Sequence, residues 1–166
     1  MSPFLAWLES TALSIWVRES ISIFAFPSIL ALHTIGMGIV AGMNGAIALR
    51  ILGVAPQVSL FEMKRFVPVI WFGFWLNAAS GVVLLIGYPT KALTNPVFYA
   101  KLTLIALGLV VFKRIGARVF RDPSLSGQTV PGNVRKLAVA SLVCWAGAIT
   151  TGRFLAYTYV HLTQAW

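Results

Sequence analysis

The chain is poor in charge, and poorer still in acid. Only 10% of its 166 residues are Asp, Glu, Lys or Arg, and just four of those are acidic. A soluble domain carries about 25% charged residues. With 58% apolar residues and a mean hydropathy of +0.85, the chain cannot clothe its surface in polar groups, so a bilayer is the expected solvent. There is one cysteine, Cys144, set in an apolar run. That excludes an internal disulfide and a cysteine-rich metal site, and leaves a small, inert, buried residue. No basic stretch precedes the first apolar run, so no cleavable signal peptide is expected. A net charge of +9 without a basic stripe on a soluble face argues against nucleic acid as a partner. Nucleophile–base pairs, a phosphate loop and intramembrane carboxylates are all lacking, which turns the argument away from hydrolases and proton pumps.

What is there is a set of long uncharged runs. A spanning helix needs about 20 apolar residues. Four spans are expected, at about 20–49, 66–88, 96–113 and 135–161. Ser20 can cap the first, and Pro27 kinks it or opens its regular part. Pro68 suits the first turn of the second, and Asn95-Pro96 is a cap-plus-proline start for the third. Residues 2–18, with Ser2 and Pro3 as a helix start, mix Phe4, Trp7 and Trp16 with Glu9 and Arg18. They are too polar to span and predict a short helix lying in the membrane interface. The expected fold is therefore all-α: a polytopic four-helix bundle, one domain over 1–166, with an interfacial N-terminal helix.

Lys and Arg are distributed unevenly between the loops. Nine lie on one side, at Arg50, Lys64, Arg65, Lys113, Arg114, Arg118, Arg121, Arg135 and Lys136, against Arg18 and Lys91 on the other. Basic loops stay in the cytoplasm. Both termini are thus expected on the extracytoplasmic side of a bacterial inner membrane. Trp71 and the tyrosines 88, 99, 157 and 159, with Trp166, fall where interfacial aromatic belts would put them. Small residues are expected to hold the spans together. Gly38 and Gly42 have GxxxG spacing, with Gly36 and Gly45 nearby, Gly73, Asn77 and Gly81 recur every four residues, and Ala140, Cys144, Gly147 or Ala148, and Thr151 form a third stripe. These predict close-packed faces, within one chain or in a homo-oligomer.

Four polar groups interrupt the runs: His33, Asn77, Lys101 and Arg153. At about 1.5 Å per residue, each falls between the outer surface and the midplane. One on each span suggests a shared site. Arg153 keeps its charge and needs a partner, yet no span offers a carboxylate, so a bound anion or a lipid phosphate is expected to meet it. Tyr157 and His161 follow it at four-residue steps. His33 can serve as a metal ligand or simply hydrogen-bond between helices, and Lys101 can snorkel to the headgroups. His33 and His161 differ by about 15 Å in depth, too far to share an iron. Met37, one turn from His33, shares its helix face, so the pair cannot sandwich a haem but can hold copper(I), with Met43 as a further ligand.

Leu32-His33-Thr34-Ile35-Gly36-Met37 with the glycines 38–45, and Phe98-Tyr99-Ala100-Lys101-Leu102, resemble the first- and third-helix motifs of the HemJ-type protoporphyrinogen oxidases and the related CopD-like membrane proteins. The resemblance spans about residues 29 to 114. It implies a helical bundle holding b-type haem, with His33 as iron ligand and Lys101 beside the cofactor. In a haem site read from these residues, Asn77 would orient the imidazole, Lys101 and Arg153 would neutralise propionates or ligate, and Tyr157 and His161 would line the outer mouth. Val40 or Ala41 stands where the family has tryptophan, and Val111-Phe112-Lys113 replaces a Tyr-His pair. The expectation is accordingly a haem-binding redox protein with an unassigned redox partner, rather than the family's particular reaction. A copper-handling protein and a cofactor-free structural or assembly subunit are the alternatives.

Overall fold

The computed structural model describes residues 3–120 and 130–163, and the side chains of α7 only as far as 155, together with Tyr157. The described residues are all-α. Two short helices, α1 (Pro3–Glu9) and α2 (Ala12–Glu19), precede the first long one, α3 (Phe26–Leu52). A 3-10 turn (Glu62–Phe66) leads into α4 (Val67–Gly87), then come the short α5 (Pro89–Leu93), α6 (Pro96–Val119) and α7 (Gly132–Thr163). Among the described residues four helices are long and apolar enough to cross a bilayer. Their sides carry exposed Phe72, Trp75, Leu107, Val110, Val143 and Ile149, which only lipid would solvate well. This is a multi-pass membrane protein.

Of the differences from the sequence expectation, three have a local reason. The interfacial segment is two helices, because Thr11 caps a second one by accepting from the Ser14 N–H. The first span starts at Phe26 rather than at residue 20. Ser20 ends α2 instead, and the hydroxyls of Ser20 and Ser22 accept from the backbone N–H groups of Ser22 and Phe24, which favours turns over helix. Pro27 then sits in the first turn of α3. The third span runs six residues further than expected, to Val119, carrying its basic residues beyond the apolar run. Asn95 does cap that helix, accepting from the Val97 N–H at 3.0 Å. Ser2, Trp166 and the side chains of Tyr159 and His161 lie outside the described residues.

Because the spans alternate in direction, the molecule has a capped end, where α1, α2 and α5 gather, and a basic end. At the capped end α2 docks on α4: Val17 is fully buried against Gly87, and Ser14 donates to the Gly87 carbonyl at 3.4 Å. Arg18 donates to the Glu9 carbonyl, and the Glu9 carboxylate accepts from the Thr90 N–H. At the basic end Gly53, at φ 106°, closes α3 in a left-handed cap. Buried Arg50 donates to the carbonyls of Pro56 and Val58, fastening the loop beneath it.

The spans pack in the order α4, α3, α7, α6, and the outer pair, α4 and α6, make no more than marginal contact. The closest approach is between α3 and α4. A Cβ on Gly36 would stand 2.7 Å from the Asn77 nitrogen and 2.8 Å from the Gly73 carbonyl oxygen, so only glycine fits. Between α6 and α7, Trp145 fills the notch at Gly108 and Leu104 the one at Gly147. Gly38 and Gly42, expected on a close-packed face, meet nothing within 4 Å where a Cβ would stand. The packing face of α3 is turned away from them.

Candidate functional site

His33 lies two turns into α3, on the face turned toward α4. Its ring rests over Gly81, where an added Cβ would stand 3.1 Å from Cε1. Asn77 and Ser80, at i and i+3 on α4, share the face that receives it. The Nδ1 atom is 3.0 Å from the Asn77 carbonyl oxygen and 3.2 Å from the Ser80 hydroxyl. That hydroxyl is itself positioned to donate to the Leu76 and Asn77 carbonyls, so it accepts from the ring. A carbonyl can only accept. Nδ1 therefore carries the proton, and in the neutral ring the lone pair is on Nε2. The Asn77 side chain closes the arrangement by donating to the His33 carbonyl at 2.7 Å.

Nε2 points the other way, toward α6. Lys101 Nζ lies 3.1 Å from it and donates into its lone pair. Gly152 of α7 forms a floor beneath the lysine; a Cβ there would stand in ordinary contact with Cε and Nζ, at 3.6 Å. The length of the lysine side chain carries the ammonium group from α6 to the imidazole of α3. All four spans contribute: the imidazole from α3, its anchor from α4, the ammonium group's stem from α6, and the floor from α7.

The surroundings are thinly packed. None of residues 26–35 of α3 and none of residues 96–107 of α6 is buried, while both helices bury residues further toward the basic end. His33, Asn77 and Lys101 therefore come together in a layer that has little apolar core of its own.

Arg153 and Tyr157 do not join them. Arg153 is exposed, one residue and about 100° of helix past Gly152, and Tyr157 is 66% exposed on the same outward face. Met37 and Met43 pack against the apolar core and lie apart from the imidazole's hydrogen bonds. Among the described residues no cluster of three or more His, Cys, Asp or Glu side chains is present. Cys144 is buried, as expected for a small apolar residue.

Ser80 and Gly152 complete the site and were not singled out from the sequence. Ser80 had a signal: Asn77, Ser80 and Gly81 fall on one helix face. Gly152 had none, since its role depends on which face of α7 meets α6. No family model, no curated protein and no solved structure matches this chain.

Proposed function

We propose that this is a b-type haem protein of the bacterial cytoplasmic membrane with an electron-transfer or oxidase role, and that His33 is its axial ligand. The observation that carries this is the state of the imidazole. Its Nδ1–H is spent on a backbone carbonyl, and its Nε2 lone pair meets only the Lys101 ammonium group. A ligating histidine is held in this way, by an acceptor on its other ring nitrogen that fixes tautomer and ring direction. The thin packing of α3 and α6 around it supports a guest that completes the layer. The resemblance of the His33 and Lys101 motifs to HemJ-type and CopD-like proteins points the same way.

Haem would supply one-electron chemistry. Asn77 and Ser80 would hold the ring, and Lys101 would give up Nε2 to the iron and turn to a propionate or ligate in its own right. Arg153 and Tyr157, facing outward, are left to lipid phosphate and headgroups. The basic end lies in the cytoplasm and the capped end outside, following the bias of lysine and arginine between the loops.

The test is an absorption spectrum of the detergent-purified chain, oxidised and reduced. A Soret band is expected in the wild type and in Lys101→Gln, shifted in the latter, and is lost in His33→Ala. Purified protein without visible absorption, from cells supplied with haem, overturns the proposal. A second reading, a cofactor-free structural or assembly subunit, is favoured by the closure of the His33, Asn77, Ser80 and Lys101 hydrogen bonds on one another. It predicts a His33→Leu protein altered in assembly alone.

A further inference from the structure

The seam between α4 and α6 widens at the basic end into a cleft of about 550 Å³. Its walls are apolar, from Pro68 and Trp71 on one side and Phe112, Gly116 and Phe120 on the other, and its rim carries Lys64 and Lys113. Lys113 leans over the Trp71 ring, with Nζ 5.9 Å from the centroid. Neither lysine has an ion pair among the described residues, and the one described carboxylate at this end, Glu62, is taken by Arg65. Two exposed ammonium groups and an indole thus frame an apolar opening at the level where the apolar span gives way to basic chain.

We propose that this cleft binds one anionic phospholipid, its phosphate between Lys64 and Lys113 and its acyl chains in the seam that α4 and α6 leave unpacked. Charge selects the ligand, since a zwitterionic headgroup brings its own cation to the same two lysines. Basic pockets between spanning helices recognise anionic headgroups by this combination. An amphiphile fits better than a free anion, because the walls are hydrocarbon and only the rim is charged. The assignment is independent of what His33 holds.

Native mass spectrometry of the full chain in detergent tests it, with dioleoyl phosphatidylglycerol and dioleoyl phosphatidylcholine as probes. One phosphatidylglycerol per chain should survive conditions that strip phosphatidylcholine. At about 1 kcal/mol per lysine, the double variant Lys64→Gln/Lys113→Gln should lose roughly thirtyfold in phosphatidylglycerol affinity. Arg114→Gln/Arg118→Gln removes the same charge from exposed positions outside the cleft and should stay close to the wild type. Gly116→Leu, which fills the cleft without changing charge, should also weaken the lipid. The proposal is overturned if both charge pairs lose affinity equally, if the two lipids bind alike, if inorganic phosphate displaces phosphatidylglycerol, or if Gly116→Leu retains it in full.

Discussion

The two halves of the bundle are made by the same four helices and hold together differently. Toward the basic end, Ile47, Ile51, Ile70, Phe112, Ile115, Val119, Val134 and Trp145 form a continuous apolar core. Toward the capped end the described residues form no such continuous core, and α3 meets α6 through the Lys101–His33 hydrogen bond. In lipid, apolar side chains gain little by leaving hydrocarbon for a helix interface, so fit and hydrogen bonds decide association. The first half relies on fit. The second relies on a few polar atoms around a sparsely filled space. The difference teaches where to look for chemistry: in the half that the chain leaves incompletely packed.

That contrast can be broken by substitution. The largest effect is expected from Ile115→Ala in the apolar half, where the side chain is 2% exposed. The cavity it leaves should cost about 2–4 kcal/mol, read as unfolding in mixed detergent micelles, without loss of the visible spectrum expected of the wild type. An unchanged unfolding curve would mean that the core contributes little. Gly36→Val, at the junction of the halves, forces α3 off the backbone of α4 and should cost about 1–3 kcal/mol. It should also disturb the spectrum, because His33 lies one turn away; Gly42→Ala, with open space at its Cβ, should do neither. Among the substitutions that remove a contact, Asn77→Leu should cost the least stability, about 0.6 kcal/mol, in line with interhelical hydrogen bonds in membranes. It leaves Nδ1 on the Asn77 carbonyl and the Ser80 hydroxyl and removes the side chain's bond to the His33 carbonyl, so its signature would be a small spectral shift from a reseated α3. A cost as large as that of Ile115→Ala would make the polar cluster chiefly a structural lock.

Much of the fold is legible in the sequence because charge and proline punctuate it. The uncharged runs give the spans, and Asn95-Pro96 gives the start of α6 to the residue. The depth of His33, Asn77 and Lys101 follows from counting along helices, and so does their meeting in one layer. Azimuth does not. Helix α3 is apolar all round, so nothing in its pattern marks the inner face. This is why Gly38 and Gly42, with the conspicuous spacing, turn out to be unpacked, while Gly36 carries the contact. The same blindness grouped Arg153 with His33, Asn77 and Lys101 in one shared site, although the rotation of α7 leaves it exposed. Depth is set by hydropathy, a property of the chain; rotation is set by the shapes of neighbours, which appear only on assembly.

The weak contact between α4 and α6 leaves one flank of the bundle ajar to the surrounding acyl chains. Any molecule bound beside Nε2 would then come and go sideways, dissolved in the bilayer leaflet, rather than through an aqueous mouth. Its supply would follow its partitioning into fat, and water-soluble scavengers would be slow to reach it.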